Sequence, residues 1–253
     1  MVIERIELRV LRLPLVRFFE TSFGRVHDRT FMLVRIDGGG VTAWGECVAD
    51  SDPFYGPETV NTAWHITEDF LAPLVLGVRF AHPRDVFPAL RRVRGHRMAK
   101  AAVEMAAWDL YARQEGKPLA AVLGGTRTRV AAGVSIGIQD SLEQLVDRVG
   151  AELADGYQRV KIKVKPGWDL GAVEAVRARF GAVPLMVDAN AAYRLDDAAH
   201  LAGFDRFGLL MIEQPLDDDD IRDHAALQAR IATPVCLDES IHSVRRGRDA
   251  IDA

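Results

Sequence analysis

The feature that most constrains the fold is an alternation of strand-like and helix-like segments that begins near residue 128. Five times, a short apolar segment is followed by a longer one with apolar residues at helical spacing, and each unit takes roughly 25 residues. This alternation predicts parallel strands joined by helical crossovers. It is typical of a (β/α) barrel or of an open doubly wound sheet. No GxGxxG or GxxxxGK[ST] motif follows any of the five strands, which disfavours a nucleotide-binding fold.

The first half of the chain follows a different pattern. Apolar and polar residues alternate over residues 2–13, and FMLVRID and VTAWGECV flank a run of three glycines, Gly38 to Gly40, which predicts a hairpin. The segment MAKAAVEMAAWDLYARQEG then predicts a long helix that ends at Gly116. Strands followed by helices indicate an α+β domain. We therefore expect an α+β domain over residues 1–125 and a βα domain over residues 126–253.

Composition excludes several classes of function. The net charge of −4 gives no general attraction to nucleic acid or to an anionic membrane. The two cysteines, Cys47 and Cys236, have no CxxC or zinc spacing, which indicates a reducing compartment and a cytoplasmic protein. The N-terminus alternates like a strand and carries early charges, unlike a signal peptide, and no apolar run approaches the length of a membrane span.

Acidic residues end three successive predicted strands. Asp188 ends PLMVD, Glu213 ends GLLMIE and Asp238 ends PVCLD, with 25 residues from each to the next. A lone acid after a strand is often a helix N-cap or a turn residue. Three acids in equivalent places instead predict carboxylates that converge at the carboxyl ends of the strands, where barrel enzymes carry their active sites.

Converging carboxylates repel one another unless a cation lies between them. An all-oxygen set without His or Cys favours Mg²⁺ or Mn²⁺ over zinc. Glu239 adjoins Asp238 and is a local alternative, although the equal spacing and the side-chain period of two favour Asp238. Asn190 lies on the same side as Asp188, and we expect it to support the site through hydrogen bonds.

The strand before Asp188 carries lysines at alternate positions. In RVKIKVKPG, residues 159–167, Lys161, Lys163 and Lys165 share one face, and the apolar residues share the other. A face of this kind is more often solvated, but beside three acids we expect Lys161 and Lys163 to face the metal site. Lys165 lies at the loop and is expected to be solvated.

A lysine in such a site has a chemical use. Crowding by another cation and partial burial would lower its pKa and make it a base near neutrality. A metal ion would stabilise negative charge that develops on a substrate carboxylate. Together they predict removal of a proton from the carbon next to a carboxylate.

The lysine pair and the three acids resemble the enolase superfamily, in its muconate-lactonising-enzyme subgroup. Further motifs resemble the o-succinylbenzoate synthase and N-succinylamino acid racemase branch of that superfamily. They are FETSFG (19–24), WGECV (44–48), GHRMAK (95–100), GVSIGI (133–138), KPGWD (165–169), DANAAY (188–193), IEQPL (212–216) and LDESI (237–241).

The resemblance implies a fold and a set of roles. Its members have an α+β capping domain and a (β/α)₇β barrel, and the full-length enzyme is expected to be a homo-oligomer. One Mg²⁺, or Mn²⁺, would be bound by Asp188, Glu213 and Asp238. Lys163 would be the acid and base on one face of the substrate, and Lys161 would adjust its charge state.

The resemblance also implies substrate contacts. A capping loop around Phe19, Thr21, Ser22 and Phe23 would cover the mouth of the barrel and help to select the substrate. Ser135, at the end of the first barrel strand, and Asn190 are expected to contact a small-molecule carboxylate.

Two reactions are open. In the synthase reaction, a succinyl-hydroxycyclohexadiene carboxylate loses water by syn elimination to give o-succinylbenzoate, on the route to menaquinone. In the racemase reaction, the α-proton of an N-acylamino acid is removed and returned on the opposite face. Both pass through an enediolate. The synthase, a carbon–oxygen lyase, is the leading expectation; dipeptide epimerase and muconate cycloisomerase are more distant ones.

The chain departs from the family pattern at one position. The resemblance implies a second catalytic lysine at the end of the sixth barrel strand, about ten residues beyond Ala253. We therefore expect a C-terminally truncated chain with five of the βα units and little or no turnover of its own. The third alternative is an inactive fragment that only associates with itself or with a complementary piece.

Overall fold

The structure is a computed structural model that describes all 253 residues. It divides into two compact units: residues Met1–Leu15 with Asp28–Arg129, and residues Val16–His27 with Val130–Ala253. The second unit thus includes a short segment from the N-terminal part of the chain, residues 16–27, which we call the hairpin tip. No helix is both long enough and apolar enough to cross a membrane.

A three-stranded sheet in the order β1-β2-β3 belongs to the first unit, except for the end of β1 and the start of β2, which lie in the hairpin tip. Its strands are β1 (Arg5–Thr21), β2 (Gly24–Gly38) and β3 (Val41–Cys47). Strands β2 and β3 pair antiparallel up to Gly38 and Val41, which confirms the predicted hairpin. Gly39 and Gly40 have φ values of 58° and 75°, a region that glycine adopts without steric cost.

The helices of the first unit follow its strands, as predicted. They are α1 (Val60–Ile66), which continues through a π-helical turn (Thr67–Leu71) into α2 (Ala72–Val75), α3 (Val86–Leu90), α4 (Arg97–Gln114) and α5 (Leu119–Val122). Helix α4 ends just before Gly116, whose φ is 63°, as the sequence predicted. The α4 backbone packs so closely on β3 that a Cβ at Gly45 would overlap the carbonyl oxygen of Ala102.

The second unit contains a parallel five-stranded sheet in the order β4-β5-β6-β7-β8. Its strands are β4 (Val134–Ile136), β5 (Val160–Lys163), β6 (Leu185–Asp188), β7 (Ile212–Glu213) and β8 (Val235–Cys236). Its helices are α6 (Leu142–Ala154), α7 (Leu170–Phe180), α8 (Ala198–Leu201), α9 (Arg222–Gln228) and α10 (Val244–Asp252). The five predicted βα units are therefore confirmed.

The apolar face of β5 belongs to the core of the second unit. Val160 and Ile162 are fully buried in one cluster with Leu145 and Val149 of α6 and Val173 of α7. Because side chains alternate along a strand, this packing directs Lys161 and Lys163 to the opposite face. The predicted division of the KxK strand into an apolar face and a lysine face is confirmed.

A buried histidine supports the loop that follows β7. The ring of His224, in α9, accepts a hydrogen bond at Nε2 from the backbone N–H of Leu216 at 3.1 Å, while Nδ1 faces the carbonyl of Asp220. Nε2 can accept only when it carries no proton, so the ring is neutral with its proton on Nδ1. Burial lowers the pKa of His224, although its contact with Asp220 works in the opposite direction.

We expect His224 to make the protein less stable at mildly acidic pH. A histidine with a lowered folded-state pKa binds a proton more readily when unfolded, so the free energy of unfolding falls as pH falls through about 6.5. Urea denaturation at pH 7.5 and 5.5 measures this loss. A His224→Gln variant keeps an acceptor for Leu216 and should lose less stability over that interval. Equal losses in both proteins would contradict the expectation.

Candidate active site

The β-sheet register sets the core of the site. Lys163, Asp188 and Glu213 are direct neighbours across β5, β6 and β7. On the next strand the neighbour of Glu213 is Cys236, so Asp238 lies two residues further along the chain. The expectation that Asp238 occupies the place equivalent to Asp188 and Glu213 is therefore wrong. The acids are equally spaced in the sequence, but β8 pairs with β7 two residues out of step with that spacing. Cys236 therefore takes the position beside Glu213 that was expected for Asp238.

The two lysines of β5 bind the two neighbouring carboxylates. Lys163 Nζ donates to Asp188 Oδ2 at 2.6 Å and to the side-chain oxygen of Asn190 at 2.7 Å. Lys161 Nζ lies 2.9 Å from the same Asp188 oxygen and donates to Glu213 Oε1 at 2.7 Å. Asp188 is 1% exposed and Lys163 is 8% exposed. The predicted convergence of the lysine pair on acidic side chains is thus present in the structure.

The electrostatics of the pair of acids are unequal. Burial works to raise the pKa of Asp188, but the ammonium groups of Lys163 and Lys161 outweigh it and hold that pKa below its usual range. For Glu213, burial and the neighbouring Asp188 charge dominate over Lys161, and the pKa is raised. Asp188 is therefore the carboxylate that holds its negative charge most firmly.

The pKa of Lys161 corrects a prediction. The sequence predicted that crowding would lower the pKa of a lysine in this site. Burial does act in that direction on Lys161, but hydrogen bonds and attraction from Glu213 and Asp188 outweigh it, so the pKa lies above its usual value. Two carboxylates within hydrogen-bonding distance have a stronger effect on this ammonium than its burial.

A buried carboxamide fixes the loop that carries Asp238. Gln214 is fully buried, and its Oε1 accepts from the backbone N–H groups of Asp238 at 2.9 Å and Ser240 at 3.3 Å. Its Nε2 donates to Ser240 Oγ at 2.7 Å. The Asp238 carboxylate itself is exposed. Sequence reasoning missed Gln214, although the quoted IEQPL motif contains it.

Glu239, the alternative to Asp238, is committed to a different partner. The side-chain amide of Asn190 donates to Glu239 Oε1 at 2.9 Å, while Glu239 Oε2 is buried without a partner. Burial raises the pKa of Glu239. Asn190 also donates its backbone N–H to Asp188 at 3.1 Å. It therefore links Lys163, Asp188 and Glu239, in line with the predicted supporting role.

The donor set suits a hard divalent cation. No group of three His, Cys, Asp or Glu side chains is placed to hold a metal ion in this structure; two of the three predicted ligands, Asp188 and Glu213, lie together. All the acidic donors are carboxylate oxygens, which fits Mg²⁺. The four acids Asp188, Glu213, Asp238 and Glu239 outnumber Lys161 and Lys163, so the residues present leave negative charge for a cation to balance.

Cys236 is a further residue of the site that sequence reasoning did not assign. It lies beside Glu213 in the sheet, and burial together with the nearby charge of Glu213 raises the pKa of its thiol. A raised pKa keeps the thiol protonated and poorly nucleophilic at neutral pH. Only the register of β8 against β7 shows that Cys236 lies beside Glu213, and no local sequence pattern reports that register.

Lys165 is not simply solvated, and that expectation is wrong. Its Nζ lies 2.9 Å from Oε1 of Glu20, in the hairpin tip, and its side chain is 37% exposed. Glu20 Oε2 accepts from Arg25 at 2.6 Å, and Arg25 also pairs with Asp140 at 2.5 Å. Lys165, two residues beyond the end of β5, thus pairs with an acid of the hairpin tip.

The predicted substrate contacts lie at the same end of the sheet. Ser22 Oγ donates to the carbonyl of Asn190 at 3.1 Å, and Ser135 pairs with Lys161 in the sheet and is exposed. Phe19 packs near Gly137, just beyond β4. Phe23 is exposed, whereas Thr21 is buried and contacts the carbonyl of Gly24 at 3.5 Å. The substrate roles of all these residues stay predictions.

Two families match the chain. The mandelate racemase / muconate lactonizing enzyme N-terminal domain matches residues 5–124, and the enolase C-terminal domain-like family matches residues 144–253. Among solved structures, a member of the enolase superfamily from Enterococcus faecalis V583 is 43% identical with a TM-score of 0.90, covering 100% of this chain and 69% of that one.

Curated relatives cover nearly the whole chain. An o-succinylbenzoate synthase of Geobacillus kaustophilus is 49% identical over 99% of this chain and 67% of its own length. An N-succinylamino acid racemase of Amycolatopsis sp is 48% identical over 97% of this chain and 67% of its own length. The chain therefore spans about two thirds of the length of these relatives.

Members of the superfamily are magnesium-dependent. One solved structure, a dipeptide epimerase of Enterococcus faecalis V583, is a complex with Mg and a dipeptide. It shares the fold with a TM-score of 0.89 at 22% identity, and the match covers 100% of this chain and 72% of that one. One family accounts for the lysine pair, the strand-end acids, the two domain matches and the curated relatives. The chain belongs to the enolase superfamily, in its muconate-lactonising-enzyme subgroup.

Proposed function

We propose that this protein catalyses Mg²⁺-assisted removal of a proton next to a carboxylate, as an o-succinylbenzoate synthase. The proposal rests on the ion pairs that Lys161 and Lys163 form with two acids at the ends of adjacent parallel strands. The acids are Asp188 and Glu213. This arrangement brings a primary amine and hard oxygen donors within one hydrogen-bonding network. The similarity to the synthase of Geobacillus kaustophilus supports the choice of reaction.

Asp188, Glu213 and Asp238 are the residues that we propose hold the metal ion. When bound, Mg²⁺ supplies stabilisation of the negative charge that develops on the substrate carboxylate. Glu239 is the less suitable third ligand, because the side-chain amide of Asn190 already donates a hydrogen bond to one of its oxygens. Gln214 holds the Asp238 backbone in place for this role.

Lys163 is the proposed base. Its Nζ is the more buried of the two ammonium groups and is held by Asp188 and Asn190, which fixes the direction of its proton. To act as the base, Lys163 must be in its neutral amine form. In a syn elimination this amine would take the α-proton as the C–H bond breaks, which leaves the electron pair in an enediolate and makes Lys163 an ammonium group. That ammonium would then give a proton to the substrate hydroxyl as the C–O bond breaks, so that water leaves, the new C=C bond forms and the amine is neutral again. Lys161, with its raised pKa, stays cationic and contributes positive charge beside the carboxylate site.

Racemisation of N-succinylamino acids is the second candidate. The Amycolatopsis relative of that name is nearly as similar to this chain as the synthase. The first step, loss of an α-proton, is common to both reactions, so the lysine and acid geometry serves either one.

The two candidates are separated by assay of the protein on both substrates with Mg²⁺. The sequence led us to expect little turnover from this chain, whereas the lysine and acid geometry leads us to expect formation of o-succinylbenzoate from the hydroxycyclohexadiene carboxylate, and its loss when EDTA removes the metal. Racemisation without dehydration would transfer the assignment to the second candidate. Absence of both reactions and of α-proton exchange in D₂O would overturn the proposal.

A further inference from the structure

Glu20 is a buried acid of the hairpin tip, outside the proposed catalytic set, with two cationic partners. Its side chain is 12% exposed, and its two oxygens contact different groups: Oε1 binds Lys165 at 2.9 Å and Oε2 binds Arg25 at 2.6 Å. Lys165 comes from the segment after β5, whereas Arg25 lies in the hairpin tip itself. The carboxylate therefore ties the tip to the end of the lysine strand.

The backbone of Glu20 also contacts the sheet end directly. Its carbonyl accepts from the N–H of Ile138 at 2.9 Å, just beyond β4. A Cβ built on Gly137 would lie 2.9 Å from both the backbone nitrogen and the backbone oxygen of Glu20. This approach is possible only because residue 137 has no side chain, so the tip and the β4 end form one packed surface.

The hairpin tip is also linked to Lys163 by hydrogen bonds through a single residue, Asn190. Ser22 donates to the backbone carbonyl of Asn190, and the Asn190 side chain accepts from Lys163. The hairpin tip is thus attached beyond β4, beyond β5 and beyond β6, three successive strands of the sheet. Displacement of Glu20 would disturb the position of Phe19 and Ser22, the predicted substrate contacts on either side of it.

We propose that Glu20 is a positioning residue whose ion pair with Lys165 holds the hairpin tip against the strand ends. The tip is then in its substrate-contacting position before the substrate binds. The inference rests on the proposed function for the identity of the ligand. It assigns Lys165 a role different from that of Lys161 and Lys163: Lys165 orders the substrate-covering segment and takes no part in proton transfer.

How much the loss of the Glu20–Lys165 ion pair loosens the hairpin tip depends on how deeply the two side chains are buried. Exposed ion pairs contribute little, but removing one partner of a mostly buried pair leaves a charge without compensation. The Glu20–Lys165 pair is intermediate, because Glu20 is mostly buried and Lys165 is about one-third exposed. We therefore expect Glu20→Gln and Lys165→Met to loosen the tip without unfolding the protein.

Two measurements test the proposal on the Mg²⁺-loaded protein. Hydrogen–deuterium exchange should become faster in peptides covering residues 16–27 in Glu20→Gln and in Lys165→Met. Calorimetric titration with o-succinylbenzoate should show a Kd raised about tenfold, with Mn²⁺ affinity within about twofold of the wild type. The double variant should be little worse than either single variant, because both remove the same interaction.

Matched variants complete the test. Glu174→Gln removes an exposed carboxylate that lies 4.0 Å from Arg206 and should leave exchange and binding unchanged. Gly137→Ala should raise the Kd without any change of charge, because its Cβ displaces the Glu20 backbone. Unchanged exchange of the tip in both Glu20→Gln and Lys165→Met, or additive losses in the double variant, would overturn the inference. If the wild type itself fails to bind o-succinylbenzoate, the proposed function fails, and the exchange data still decide whether Glu20 holds the tip.

Discussion

Replacement of Lys163 by methionine is expected to slow Mg²⁺-dependent α-proton exchange by about 1,000-fold. A positioned general base contributes on the order of 10²- to 10⁴-fold to proton abstraction. Lys163 is buried and held by Asp188 and Asn190, so no other amine occupies its place. Lys161, the nearest candidate, is bound to Glu213 and has a raised pKa, which makes it a poor substitute base.

The measurement is the rate at which deuterium from D₂O enters the α-position of an N-succinylamino acid, followed by NMR. Exchange needs one base only, so it isolates the step assigned to Lys163. Lys117→Met, which removes an exposed lysine of the first unit, serves as the control for the same chemical change. Exchange in Lys163→Met within tenfold of the wild type would show that another group removes the proton.

The acid and lysine cluster was readable from the sequence because its signals are local. Period-two alternation placed Val160 and Ile162 in the core and the lysines on the other face, and the 25-residue step from Lys163 to Asp188 to Glu213 matches the register of three parallel strands. Each βα unit repeats the same geometry, so equal steps give neighbouring positions as long as the register does not shift.

The features that sequence reasoning missed depend on contacts that no local pattern reports. The two-residue shift that places Cys236 beside Glu213 arises from the pairing of β8, which has only two residues in the ladder. The partner of Lys165 is Glu20, which lies 145 residues earlier in the chain. Gln214 looks like an ordinary residue after a strand, and only its fully buried position reveals its bonds to the Asp238 loop.

Metal binding gives the second large effect. Asp188→Asn is expected to weaken Mn²⁺ binding at least about 100-fold, since even the loss of residues that only orient metal ligands costs 10- to 100-fold. Asp188 is the acid with the lowered pKa and the greatest burial, so its negative charge is available to a cation at every pH near neutrality. Asparagine keeps the shape and an oxygen acceptor for the lysines but removes that charge.

Free Mn²⁺ measured by electron paramagnetic resonance during titration gives the affinity without any assay of turnover. Asp218→Asn, an exposed acid in the loop after β7, is the matched control and should bind as the wild type does. Thermal unfolding of each variant verifies that the fold is retained. An unchanged Mn²⁺ affinity in Asp188→Asn would remove the basis for a metal site at these strand ends.

The same titration decides which acid completes the set. Asp238 has an exposed carboxylate, and its backbone is held by Gln214, whereas the Glu239 carboxylate accepts a hydrogen bond from Asn190. Asp238→Asn should therefore weaken Mn²⁺ binding more than Glu239→Gln does. The reverse order would mean that the register shift of β8 passes the ligand role to Glu239, with its buried and unpartnered oxygen as the donor.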